Sequence, residues 1–146
     1  MIDSPAHRLW AMISDLTRMG EWSPENEGAK WLGGATGPAV GARFRGVNRH
    51  GKRRWSTVGR VVESEPARSF AFTISAIGLP VAEWRYQFDD RTDSCLVTET
   101  WLDRRGRLFK LAGKPVSGVS DRASHNRTSM EETLRRLKAA AETNPG

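Results

Sequence analysis

The hydrophobic positions of this chain follow a helical rhythm at its start. Leu9, Trp10, Ile13 and Leu16 recur at the spacing of one helix face, behind a Ser4 suited to cap a helix and a Pro5 suited to its first position. Gly20 closes a second short helical turn, and Trp22 emerges just past it, ahead of Pro24. "AKWLGG" then predicts a short strand, and "GGATGPAVG" a turn-rich connection. From Gly41 the period shortens to two. "GARFRGVNR" and "RRWSTVGRVVESE" flank the turn "HGK" and predict a hairpin with His50 at its tip. "RSFAFTISAIG" sets Phe70, Phe72 and Ile74 on one face. "VAEWRYQFDD" sets Trp84, Tyr86 and Phe88 on one face and Glu83, Arg85 and Gln87 on the other, and "SCLVTETWLD" follows after a turn. These segments predict an antiparallel meander with one dry and one wet face.

Helical spacing returns near the end. Leu108, Leu111 and Ala112, then Val119, Ala123, Met130, Leu134 and Leu137, can share one stripe. Gly113, Pro115 and Gly118 interrupt it, so a broken first part and a continuous helix from about Ser117 to Glu142 are expected. A long amphipathic helix must lay its stripe on something, and the dry face of the sheet is the large partner available. The pattern predicts one α+β domain over residues 1–146, without repeats or linkers.

Helix, short helix, antiparallel meander and long helix, in that order, resemble the helix-grip fold of the START-like superfamily. The likeness is nearest to the polyketide cyclase/dehydrase and lipid-transport family, also called SRPBCC. It is carried by "SPAHRLWAMISDLTRMGEWSPE", by the run from Trp55 to Pro66 followed by "RSFAF", and by "WRYQF" and "VTETW" between Trp84 and Trp101. It spans nearly the whole chain. The resemblance implies a curved antiparallel sheet wrapped around a long C-terminal helix, with two short N-terminal helices. Family members usually place a strand ahead of the first helix, whereas only "MID" precedes Ser4 here. The first strand is therefore short or missing, unless the true start lies upstream of Met1. The sheet edge it would cover stays open to solvent or to a second copy, so a homodimer through that edge is one reading.

The fold also implies a hollow between sheet and helix that takes a hydrophobic small molecule such as a lipid or polyketide. Parity along the strands then assigns its lining to Trp22, Phe44, Trp55, Phe70, Phe72, Trp84, Tyr86, Phe88 and Trp101, with Val119, Ala123, Asn126 and Met130 from the last helix. Trp22 either closes one end of that cavity or plugs the base of the first helix against the sheet. Glycines at 41, 46, 51 and 59 are candidate bulge sites, and a bulge would invert the inward set beyond it.

Composition narrows the partners. The charge is +6 and the pI near 10.2, with arginines dense from Arg43 to Arg60. Such a balance attracts nucleic acid or anionic lipid headgroups. No recognition motif accompanies the charge, and alternation places Arg43 and Arg45 opposite Phe44, on the solvated side of a half-buried sheet, so nucleic acid is disfavoured and peripheral contact with anionic lipid stays open. The single cysteine, Cys95, excludes an intramolecular disulfide and fits a reducing compartment. No apolar run reaches the roughly 18 residues of a membrane span, and the first residues lack a signal-peptide layout, so a cytoplasmic location is expected.

Catalytic motifs are missing from the sequence. His7, His50 and His125 are scattered, no pair has ligand spacing, and neither a metal nor another cofactor is expected. The serines have no adjacent base and no nucleophile-elbow glycines. Glu99 is the one candidate for acid–base chemistry. It shares parity with Val97 and Trp101, and a carboxylate turned under an apolar roof acquires a raised pKa. The opposite parity would turn Leu96, Thr98 and Thr100 inward instead. The resemblance implies a carrier of a hydrophobic small molecule, with two alternatives: an aromatase/cyclase-like enzyme using Glu99, which the resemblance alone supports, or a toxin-like or regulatory interaction protein using the basic face or open edge.

Overall fold

The computed structural model describes residues 1–107, 119 and 121–143. Helix α1 spans Ala6–Ser14, a 3-10 helix Leu16–Glu21, and helix α2 Arg122–Thr143. Six strands lie between them: β1 (Asn26–Leu32), β2 (Arg43–His50), β3 (Arg53–Glu65), β4 (Ser69–Ala76), β5 (Leu79–Asp90) and β6 (Cys95–Asp103). They pair antiparallel in chain order, β1-β2-β3-β4-β5-β6, as the alternating pattern predicts. The whole is a curved open sheet gripping a long C-terminal helix.

One detail of the N-terminus differs from expectation and one agrees with it. Pro5, with ψ 148°, occupies the cap position of α1, and Ser4 makes no capping bond. The cap comes instead from across the molecule, where Asp90 Oδ1 on β5 accepts the Ala6 amide at 3.3 Å. The short first strand is reduced to a single bridge. Ile2 donates to the Cys95 carbonyl at 3.0 Å and accepts from its amide at 2.9 Å, so beyond Cys95 the outer edge of β6 is bare of strand partners among the described residues.

Helix α2 begins later than predicted, because Asp121 caps it: its Oδ1 accepts the Ser124 amide at 3.1 Å. The proposed stripe residues Leu108, Leu111 and Ala112, and Ser117 itself, lie outside the described residues. The inward stripe of α2 runs through Asn126, Met130, Thr133, Leu137 and Ala141, and continued backwards by one turn it meets Arg122. Ala123 is thus one position off the stripe and faces solvent, which corrects its placement in the cavity lining.

The core sits at one end of the grip. Leu9, Ile13, Leu16 and Trp22 from the N-terminal segment meet Phe70, Phe88, Val97, Leu137 and Ala141 there. Trp10 pins α1 to the sheet, its indole donating to the Ser69 carbonyl at 2.9 Å and meeting Phe70 edge-on at 6.5 Å. The other end of the grip is hollow.

Candidate functional site

The hollow is a cavity of about 680 Å³ between the concave face of the sheet and the N-terminal half of α2. That volume is in the range that holds a drug-sized ligand. Aromatic rings on inward positions of β2 to β6 form its floor: Phe44, Trp55, Phe72, Trp84, Tyr86 and Trp101. Phe44 and Phe72 meet edge-on at 5.4 Å, and Trp84 and Trp101 lie side by side on paired positions of β5 and β6 at 6.5 Å. Asn126, Met130 and Thr133 form the roof, and Leu16 and Met19 of the 3-10 helix close one end. The side chain at 44 can lie flat on the sheet because Gly59 stands opposite it: a β-carbon there would fall 2.1 Å from the Phe44 ring.

Nine of the residues singled out from the sequence therefore surround one space: Phe44, Trp55, Phe72, Trp84, Tyr86, Glu99, Trp101, Asn126 and Met130. Five stand elsewhere. Trp22 is 1% exposed and packs at the foot of α1 beneath the Arg18 guanidinium, which lies 5.2 Å from its ring. It plugs the core and does not reach the cavity. Phe70 and Phe88 face inward as parity requires, but at the end of the strands that α1 covers. Val119 is half-buried without lining the cavity, and Ala123 is exposed.

Glu99 points inward, with Val97 and Trp101, while Leu96 and Thr98 are exposed. Its Oε1 accepts a hydrogen bond from the Tyr86 hydroxyl at 2.7 Å, across the β5–β6 pair. Its Oε2 is buried with no hydrogen-bond partner among the described residues. Burial raises the Glu99 pKa to about 7, against the opposing pull of the Tyr86 hydrogen bond. Burial and the neighbouring carboxylate push the Tyr86 phenol well above its ordinary value. Near neutral pH this carboxyl can thus give or take a proton at an oxygen turned toward an apolar space.

A polar strip on the cavity face lay unread in the sequence. Asn26 donates to Asn48 at 3.2 Å, and Asn48 donates to Thr57 at 3.3 Å, a chain running across β1, β2 and β3. The signal was available, since Asn48 shares parity with Phe44, and Thr57 with Trp55.

The mouth holds a second cluster that spacing could not reveal. Glu25, in the loop before β1, accepts from Arg122 Nη1 at 2.9 Å on both oxygens, and its Oε2 lies 2.7 Å from His125 Nε2. His50 meets the His125 ring edge-on at 4.8 Å, and the Arg122 guanidinium stands 5.8 Å from the Trp55 ring. These groups come from positions up to 100 residues apart in the chain.

The family described as polyketide cyclase / dehydrase and lipid transport matches residues 1–142. No curated protein matches the chain. Among solved structures, the chain is similar to the Polyketide_cyc-like protein Cgl2372 from Corynebacterium glutamicum, with 29% identity, a TM-score of 0.64, and coverage of 97% of this chain and 86% of that one. Protein CV1439 from Chromobacterium violaceum shares the fold with a TM-score of 0.72 at 12% identity, over 97% of this chain and 93% of that one. The di-domain ARO/CYC StfQ of the steffimycin biosynthetic pathway does so with a TM-score of 0.69 at 14% identity, over 97% of this chain and 42% of that one.

Proposed function

Because this chain belongs to the polyketide cyclase/dehydrase and lipid-transport family, we propose that it holds a hydrophobic small molecule of lipid or polyketide type in the hollow between its sheet and α2. The observation that carries this reading is the cavity itself: about 680 Å³, floored by aromatic rings, with one buried carboxyl in its wall. Apolar burial at roughly 25 cal/mol per Å² supplies the affinity, and Glu99, Tyr86 and the Asn48–Thr57 strip orient the guest. With its pKa near 7, Glu99 can offer a proton to a carbonyl or phenol oxygen of that guest.

Native mass spectrometry of freshly purified protein tests this directly. The expected result is an adduct of a few hundred daltons that organic extraction removes. A bare protein mass, joined by unchanged tryptophan fluorescence on titration with aromatic polyketides and fatty acids, would end the proposal.

The unpartnered Glu99 oxygen favours a second reading, an aromatase/cyclase-like enzyme. Glu99 would take a proton from an acidic carbon of a polycarbonyl chain as that carbon bonds to a second carbonyl carbon of the chain, and would return the proton to the alkoxide so formed; a second proton passed from the same carbon to that hydroxyl releases it as water and leaves a C=C bond, while the cavity holds the chain folded. Glu99→Gln separates the two readings. As an enzyme the variant binds and does not turn over; as a carrier it changes affinity alone.

A further inference from the structure

We propose that Glu25, His50 and His125 form a divalent transition-metal site at the rim of the cavity, suited to zinc. Two imidazoles and one carboxylate are a donor set that late first-row ions accept, and three protein ligands leave a position for water or a guest oxygen. The donor atoms of the three side chains lie within 4.8 Å of one another. A tetrahedral ion with bonds of about 2.0–2.1 Å holds its donors roughly 3.3 Å apart, so the triad must contract by about 1.5 Å at its widest.

The side chains differ in how they can meet that demand. His125 and Glu25, 2.7 Å apart, have to part by about 0.6 Å to admit the ion. His50 is the last residue of β2, exposed, beside the two-residue turn at Gly51 and Lys52, and is free to swing by rotation about its own side chain. Around the triad stands a supporting shell. Arg122 holds the Glu25 carboxylate through both oxygens, and the Glu25 carbonyl is itself fixed by the Arg49 amide at 2.8 Å. The positive charge of Arg122 opposes a dication and so weakens its binding. Glu25 also lines the cavity, while His50 and His125 stand outside it. A metal there would join the two, within reach of an oxygen-bearing head group of the guest. This inference does not depend on the cavity being a carrier site.

Calorimetric titration of the tag-free, chelator-treated full chain with zinc chloride decides the matter, with cobalt(II) absorption as a second readout. One zinc per chain is expected. His50→Ala and His125→Ala should each weaken binding at least tenfold and abolish the visible cobalt band, and His7→Ala should change neither. Should His125→Ala fail to fold, His50→Ala and His50→Gln carry the test, since that side chain is exposed. No stoichiometric uptake, or uptake that His50→Ala leaves intact, overturns the site.

Discussion

Glu99 shows how one residue can be read from the sequence to its side and not to its state. Alternation with Val97 and Trp101 turned it inward, but its partner, Tyr86, became identifiable only with the register of β5 on β6. The raised pKa makes a stability prediction whose sign follows from proton counting. Between pH 4.5, where an ordinary carboxyl titrates, and about 7, where Glu99 does, the folded chain holds a proton that the unfolded chain has lost. Stability attributable to this group therefore falls as pH rises through that window, by at most about 3 kcal/mol, and is flat above it. Glu99→Gln should melt at the same temperature as the parent near pH 4 and above it at pH 8, as followed by circular dichroism. A variant that melts lower at pH 8 would mean that the carboxylate is not desolvated. A second residue-scale prediction concerns Gly59. A β-carbon added there has no room beneath Phe44, and the Phe44 ring is wedged edge-on between Trp31 and Phe72, so Gly59→Ala should destabilise by about 1–3 kcal/mol in denaturant titration.

At the scale of elements, period and turn residues placed all six strands and both α-helices, yet they misassigned depth along a strand. Phe70 and Phe72 have the same parity and both face inward, but α1 covers the first and the cavity adjoins the second. Parity states which face a side chain takes; what lies over that face is decided by another element, whose docking point leaves no mark in the strand's own pattern. Bulges did less damage than they could have. Register shifts fall between Asn26 and Gly28, Val61 and Glu63, and Ile74 and Ser75, so Phe44, Trp55, Trp84 and Trp101 keep their assigned face. The β4–β5 hairpin breaks a local rule outright. Its two-residue turn has positive φ at both Ile77 (53°) and Gly78 (72°), and Ile77 is 95% exposed. A β-branched residue is disfavoured in that conformation, and an asparagine is not. Ile77→Asn should therefore stabilise the fold by roughly 1 kcal/mol, read as a higher denaturation midpoint. Because Ile77 also lines the cavity mouth, the same variant tests whether the guest needs its side chain: slower or weaker uptake would show that it does.

The whole molecule divides along the axis of α2. Leu137 and Ala141, toward its C-terminus, are buried against the core that α1 completes, whereas Asn126 and Met130, toward its N-terminus, roof an apolar hollow. The ion pair of Arg122 with Glu25 ties that hollow end to the loop before β1. A fold built this way leaves Trp55, Trp84 and Trp101 half-buried on the cavity floor, and the proposed guest would complete their burial. Anything bound to the folded state alone stabilises it by mass action, about 2.7 kcal/mol when the guest stands at a hundred times its dissociation constant. For a chain of this length each kcal/mol moves the melting temperature by about 2–4 °C, so extraction of a bound guest should lower it by roughly 5–10 °C, and adding the extract back should restore it. Met130→Trp makes the complementary test. Its indole can fill part of the space from the roof, so the variant should melt near the ligand-loaded parent and take up little guest. If the variant and the extracted parent melted alike and bound the extract alike, the hollow would not be the seat of binding, and the contribution of α2 would lie in packing alone.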